Sequence, residues 1–139
     1  MLGDPGSTCH NYGMLADSTA HKKLMDFFCT GTQLTYKKGE AIVRSGDDPH
    51  GIYYITEGFV KAYAITKYGE ENVLIIRQHD DIFPLIWAFT GVHRDITYES
   101  MSDTTMWRVA RTDFLEFLHK NEHVVPVLLD AAIEAYRLH

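Results

Sequence analysis

The residues able to do chemistry in this chain are scattered rather than grouped. Eight histidines occur in 139 residues, and three of them, His50, His79 and His93, fall in the β-rich middle. None belongs to a His-x-His pair, a His-Glu-x-x-His helix signature or a spaced Cys/His set, the arrangements that hold zinc or another catalytic metal. Asp47-Asp48 and Asp80-Asp81 are paired carboxylates. Each pair lies among turn residues, where Asp is favoured because its side chain bonds nearby backbone. No Ser-His-Asp order and no carboxylate pair at helical spacing is present, so catalysis ranks below binding. Cys9 and Cys29 are too few for a disulfide framework or for the four thiolates of an iron–sulfur cluster. They are expected to be free thiols in a reducing compartment. Haem ligation by a cysteine with His79 or His93 stays open, and a Soret band in the absorbance spectrum decides it.

The elements that must position such residues fit one compact domain, since 139 residues can build one full core but not two. No apolar run reaches the roughly 18–20 residues of a membrane span. The N-terminus has neither the basic start nor the apolar block of a signal peptide, so a cytoplasmic location is expected. Net charge is −6, and Lys22-Lys23 and Lys37-Lys38 are isolated pairs. Phosphate neutralisation needs clustered Lys and Arg, so this chain is not expected to grip nucleic acid by itself.

Residues 1–18 read as a flexible leader rich in breakers. A short helix follows, with Leu24, Phe27 and Phe28 on one face and Gly31 as its stop. From Gln33 onward, short β-branched and aromatic runs alternate with turns. The strands are placed at 34–36, 41–44, 51–56, 59–66, 72–77, 96–100 and 105–109. The 59–66 run has no clean polar side and is expected to be covered on much of both faces. Pro84 followed by Leu85-Ile86-Trp87-Ala88-Phe89 predicts a helical turn within 82–91, with Pro at its start. The last third is helical: Thr112 is the expected N-cap, and Phe114, Leu115 and Leu118 the buried stripe. Val124, Leu128, Ala131, Ala135 and Leu138 alternate steps of four and three, a heptad seam expected at a dimer interface. Pro126 sets the start of that helix. Helix, then strands spaced as in a barrel or sandwich, then two helices make the fold class α+β.

The series Tyr36-Lys37-Lys38-Gly39-Glu40, Ser45-Gly46-Asp47, Gly51-Ile52-Tyr53-Tyr54-Ile55-Thr56-Glu57-Gly58-Phe59-Val60-Lys61 and Tyr68-Gly69-Glu70-Glu71 resembles the cyclic-nucleotide-binding domain of Crp/Fnr transcription regulators. Glycines at 39, 46, 58 and 69 supply the positive φ of tight turns. The resemblance covers residues from about 20 to 139 and implies an effector-sensing antiparallel jelly-roll β-roll flanked by an N-terminal helix and C-terminal helices, including a dimerisation helix. The organisation it implies is 1–18 leader, 19–121 β-roll with flanking helices, and 122–139 start of the dimer helix, with a homodimer through that helix and a helix-turn-helix domain beyond. The chain ends within the helix that resembles the dimer helix, so DNA contact is expected only through a domain not contained in it.

In such domains a phosphate-binding cassette carries a Gly-Glu pair and an Arg-Ser pair. Helix amides and an arginine fork meet the phosphate, and a carboxylate meets the ribose. Here the matching positions are Pro84-Leu85 and Arg94-Asp95. Proline lacks the amide donor, leucine cannot accept from a hydroxyl, and Asp95 repels a phosphate. Cyclic AMP is therefore disfavoured. Phe83, Pro84, Leu85, Trp87, Arg94 and Asp95 form the expected ligand site, with Phe89 and Tyr98 adding apolar surface. Two readings remain: these aromatics fill the space of a nucleotide, or the site takes another effector, a small anion on Arg94 or an aromatic acid on Trp87. The alternatives in function are a ligand-free dimerisation module and a cupin-like metal-dependent enzyme, which needs two His and a carboxylate.

Overall fold

A computed structural model describes the backbone of residues 19–92 and 94–137, with side chains to residue 133. The expected leader, Cys9, His93 and Leu138, and the side chain of Ala135, lie outside the described residues. Helix α1 (Thr19–Phe28) leads into β1 (Thr32–Tyr36), β2 (Ala41–Val43), β3 (Ile52–Glu57), β4 (Val60–Ile65), β5 (Glu71–Arg77) and β6 (Ile82–Phe83). Helix α2 (Leu85–Thr90), strands β7 (Thr97–Ser100) and β8 (Thr104–Val109), α3 (Arg111–Lys120), a 3-10 turn (Glu122–Val124) and α4 (Val125–Arg137) follow. Two four-stranded antiparallel sheets, ordered β1-β8-β3-β6 and β2-β7-β4-β5, form the sandwich.

The continuous apolar run Ile52-Tyr53-Tyr54-Ile55 explains the layering. Successive strand residues point to opposite faces. Tyr53 and Ile55 enter the core between the sheets with Val60, Ala62, Phe83, Tyr98 and Met106. Ile52 and Tyr54 face the helices, packing with Phe28, Phe114, Leu118 and Leu128. The strand covered on both faces is thus β3, not the 59–66 segment. In β4 only Val60 and Ala62 point inward, and Lys61 and Tyr63 stay half-exposed on the outer face.

The turn glycines Gly39, Gly46, Gly58 and Gly69 all take positive φ. Gly58 is doubly constrained: φ is +99°, and a Cβ there would stand 2.5 Å from the Asp103 carbonyl oxygen. Four local expectations are corrected. The segment 82–83 is a strand, because Ile82 and Phe83 pair with Tyr54 and Tyr53. Pro84 is the N-cap of α2 rather than its first helical residue. Helix α3 starts at Arg111 with Ala110 as its N-cap, so Thr112 lies inside the first turn. Cys29, expected as a free thiol, is disulfide-bonded.

Candidate functional site

Strand β6 and helix α2 build one wall of a cavity. Phe83 is fully buried, its ring stacked on Tyr53 and Tyr98 at centroid distances of 5.2 and 4.6 Å. The following peptide, Phe83–Pro84, is cis. Pro84 is extended (φ −86°, ψ 117°), and its carbonyl accepts the first helical bond, from the Ala88 N–H at 3.1 Å. The helix stops at Gly91 in the left-handed conformation, the common glycine termination. Arg111 of α3 fixes this C-terminal end. Its Nε–H donates to the Trp87 and Ala88 carbonyls at 3.2 and 3.0 Å, and its guanidinium lies 5.7 Å from the Trp87 ring centroid. The Trp87 carbonyl also accepts from the Gly91 N–H at 2.8 Å, and a cation beside these last carbonyls complements the negative end of the helix.

The cavity has a volume of about 110 Å³. Pro84, Leu85, Ile86 and Trp87 line it from α2, Ile96 and Tyr98 from β7 and its approach, and Val43 from the end of β2. Asp47 and Pro49 come from the β2–β3 connection and Ala132 from α4. Two guanidinium groups complete the lining. Arg94 is exposed, at the rim, whereas Arg77 at the end of β5 is only 4% exposed. The surface is mostly apolar with cations at its depth and its mouth, a combination suited to an organic anion with an apolar body.

Below the cavity, Arg77 also borders a small void against α4, shared with Asp81, Ile82, Leu85, Leu128 and Ala132. Burial pushes the Asp81 carboxyl up from its ordinary value, opposed by the Gln78 N–H, which donates to it at 2.9 Å, and by the positive charge of Arg77. Deeper in the sandwich, burial and the neighbouring Tyr36 push the Tyr53 phenol up to about 12, against the lowering influence of Arg108. Among the described residues, no group of three or more His, Cys, Asp or Glu side chains could hold a metal ion. No helix among them is long and apolar enough to cross a membrane.

Of the expected ligand residues, Pro84, Leu85, Trp87 and Arg94 meet around the cavity. Phe83 stands behind the lining as scaffold, and Asp95 is exposed outside it. Phe89 points elsewhere: it is half-exposed and sits against Phe114 at 6.3 Å. Tyr98 does reach the cavity. Sequence reasoning missed Arg77. Its signal was parity: Ile75 and Arg77 are two apart on one strand, so both face inward.

The expected dimer seam is corrected at its first two positions. Val124 and Leu128 are 0% and 2% exposed within the single chain, packed in its own helical core, and leave no surface for a second copy to cover. Ala131 is exposed. Among the described side chains of α4, the large apolar ones presented to solvent are Leu129 and Ile133. A four-residue step marks one helix face, but the same step serves a domain's own core and a partner equally.

Comparison with known proteins agrees with this architecture. The family described as the cyclic nucleotide-binding domain matches residues 33–121. No curated protein matches the chain. Among solved structures, the sensor domain of the transcriptional regulator DNR from Pseudomonas aeruginosa is similar with a TM-score of 0.70 at 22% identity, over 94% of this chain and 91% of that one. The catabolite activator protein of Thermus thermophilus gives a TM-score of 0.69 at 18% identity, over 95% of this chain and 61% of that one. Oxidized CprK in complex with o-chlorophenolacetic acid gives 0.65 at 16% identity, over 81% of this chain and 46% of that one. At these identities the solved structures speak for the fold. With the matched segment spanning most of the described sandwich, the chain belongs to the cyclic nucleotide-binding domain family.

Proposed function

We propose that this chain is the effector-sensing domain of a dimeric, cytoplasmic transcription regulator of the Crp/Fnr type, and that its effector is a small organic anion rather than a cyclic nucleotide. The observation that carries the reading is the cavity itself. It gathers Pro84, Leu85, Trp87 and Arg94 around a mostly apolar space of about 110 Å³. Drug-sized ligands occupy roughly 300–1,000 Å³, so a single-ring acid suits the volume better than a nucleotide. Pro84 has no amide to give a phosphate, and Leu85 has no oxygen for a ribose hydroxyl. That a neighbour of this fold holds an aryl acetic acid supports the same ligand class.

In this reading the output is mechanical. An effector against Leu85, Ile86 and Trp87 changes how α2 sits relative to α4, whose Ala132 shares the cavity. The ligand shifts a pre-existing equilibrium by its differential affinity for two arrangements. A second copy of the chain covers Leu129 and Ile133 on α4, and DNA is met by a domain outside this chain. Binding, not catalysis, is the role.

Thermal-shift measurements with phenylacetate, cyclic AMP and cyclic GMP test the proposal, because a ligand selective for the folded state raises Tm by mass action. Phenylacetate is expected to raise Tm, and Arg94→Ala to remove most of that rise with the ligand-free Tm unchanged. A rise with cyclic AMP alone overturns the effector class. The small volume favours one second reading, a ligand-free dimerisation module, and that reading prevails if no small acid or nucleotide moves Tm.

A further inference from the structure

We infer that Arg77 is the charge-selecting residue of this cavity, admitting an anion and rejecting its neutral isostere, and that it passes the ligand's charge to α4. The inference rests on the effector reading above and adds to it a residue outside the cassette positions.

Three observations carry it. Arg77 is 4% exposed, so its guanidinium has left bulk water, yet it lines the cavity. Guanidinium stays charged in any protein environment, and a desolvated charge is stabilised only by a facing counter-charge and hydrogen bonds. Asp81 is an acidic group near enough to feel the charge of Arg77, and Gln78 already occupies one Asp81 oxygen with its backbone N–H at 2.9 Å. A carboxylate entering the cavity meets the same guanidinium and can take a paired hydrogen bond from its donors. A neutral amide offers no such compensation, and a site built around a buried charge discriminates strongly against it.

The relay follows from position. Arg77, Leu85 and Ala132 line both the effector cavity and the void against α4. Leu128 and Ala131, neighbours on α4, close the far side of that void. A guanidinium drawn towards the cavity moves away from the void it shares with Asp81 and α4, and so reseats α4. Arg94 cannot do this, because it is exposed at the rim and does not border the second void.

Calorimetric titration of the whole chain with phenylacetate and with phenylacetamide tests the assignment. Wild type is expected to bind the acid and discriminate against the amide. Arg77→Met, which replaces the buried cation by an apolar chain of similar length, should weaken phenylacetate roughly 10- to 100-fold and leave phenylacetamide unchanged or improved. Arg77→Lys should restore part of the preference for the acid. Amide hydrogen exchange supplies the second readout: phenylacetate should alter protection in α4 of wild type, and saturating phenylacetate should not do so in Arg77→Met. Equal phenylacetate affinity in wild type and Arg77→Met overturns the inference while leaving the effector reading intact. Wild type that binds neither compound overturns both. Should Arg77→Met fail to fold, an Arg77→Lys protein that treats acid and amide alike overturns the selection as well.

Discussion

Strand β7 separates two concavities of opposite character. Ile96, just before it, and Tyr98 face the apolar cavity beside α2, whereas Thr97 and Glu99 face a groove on the outer side of the same sheet. The groove is larger, about 680 Å³ against about 110 Å³, and is shared by Glu40, Arg44 and Tyr63. Volume alone would select the groove as the site. Its charges, however, face water, where a pair at contact is worth little. The cavity's inner cation is removed from water, so each interaction there carries more energy and more selectivity. One strand with a two-residue period thus makes a specific site on one face and a solvated surface on the other.

The sharpest way to break this contrast is to remove the packing that shapes the inner side. Phe83 is fully buried between Tyr53 and Tyr98. Phe83→Ala leaves a void where two stacked rings were supported, and should cost about 3–5 kcal/mol in denaturant unfolding. Loss of the phenylacetate response should accompany it. A cost near 1 kcal/mol, a figure typical of an average substitution, would mean that the aromatic stack does not hold the cavity wall.

A smaller effect separates the inner and outer tyrosines. Tyr53 is fully buried and its phenol is pushed from an ordinary 10.0 to about 12, first by burial. A group whose acid form is favoured by folding gives stability that is complete below its unfolded value and is lost as pH rises. The window here is pH 10 to about 12, and the loss is about 2 kcal/mol at the top of it. Tyr63, on the groove side, is also raised, by burial and by its bond to Glu99 at 3.1 Å, but its ring is half-exposed. Tyr53→Phe should flatten the alkaline stability curve, and Tyr63→Phe should change it little. Equal flattening by both would erase the distinction between the two sides.

The strands were legible because two signals coincided. Gly39, Gly46, Gly58 and Gly69 punctuate the chain with positive φ, and β-branched or aromatic runs lie between them. The cassette positions were legible by family resemblance, and four of the six expected residues do meet at one cavity. Three things were not. Strand β6 is two residues long, too short for any period to show, and is made a strand by its neighbour β3. Val124 and Leu128 carry helical spacing that does not say which body they face. Arg77 is buried although arginine as a residue type is mostly exposed, and only its parity with Ile75 points inward. Each miss is a case of tertiary context deciding what local sequence leaves open.

The outer face allows the finest test. Lys61 bonds Glu71 at 2.8 Å and lies 3.9 Å from Glu99, with side chains 20%, 45% and 24% exposed. The Glu71 bond first of all raises the Lys61 ammonium; burial opposes it, and the charges of Glu71 and Glu99 add to the rise. The sign follows: a raised cation gives stability that is present throughout the neutral range and is lost only as pH climbs through its own alkaline titration. Because Glu71 is nearly half in water and Glu99 remains as a second partner, Glu71→Gln should cost no more than about 0.5 kcal/mol. That cost should shrink further in high salt, where the Debye length falls to about 3 Å at 1 M. Salt should leave the cost of Phe83→Ala unreduced, since dispersion and apolar burial are not screened. A salt-resistant loss above 1 kcal/mol for Glu71→Gln would show that this outer face shields its charges as the cavity does, and the contrast between the two sides of the sheet would fail.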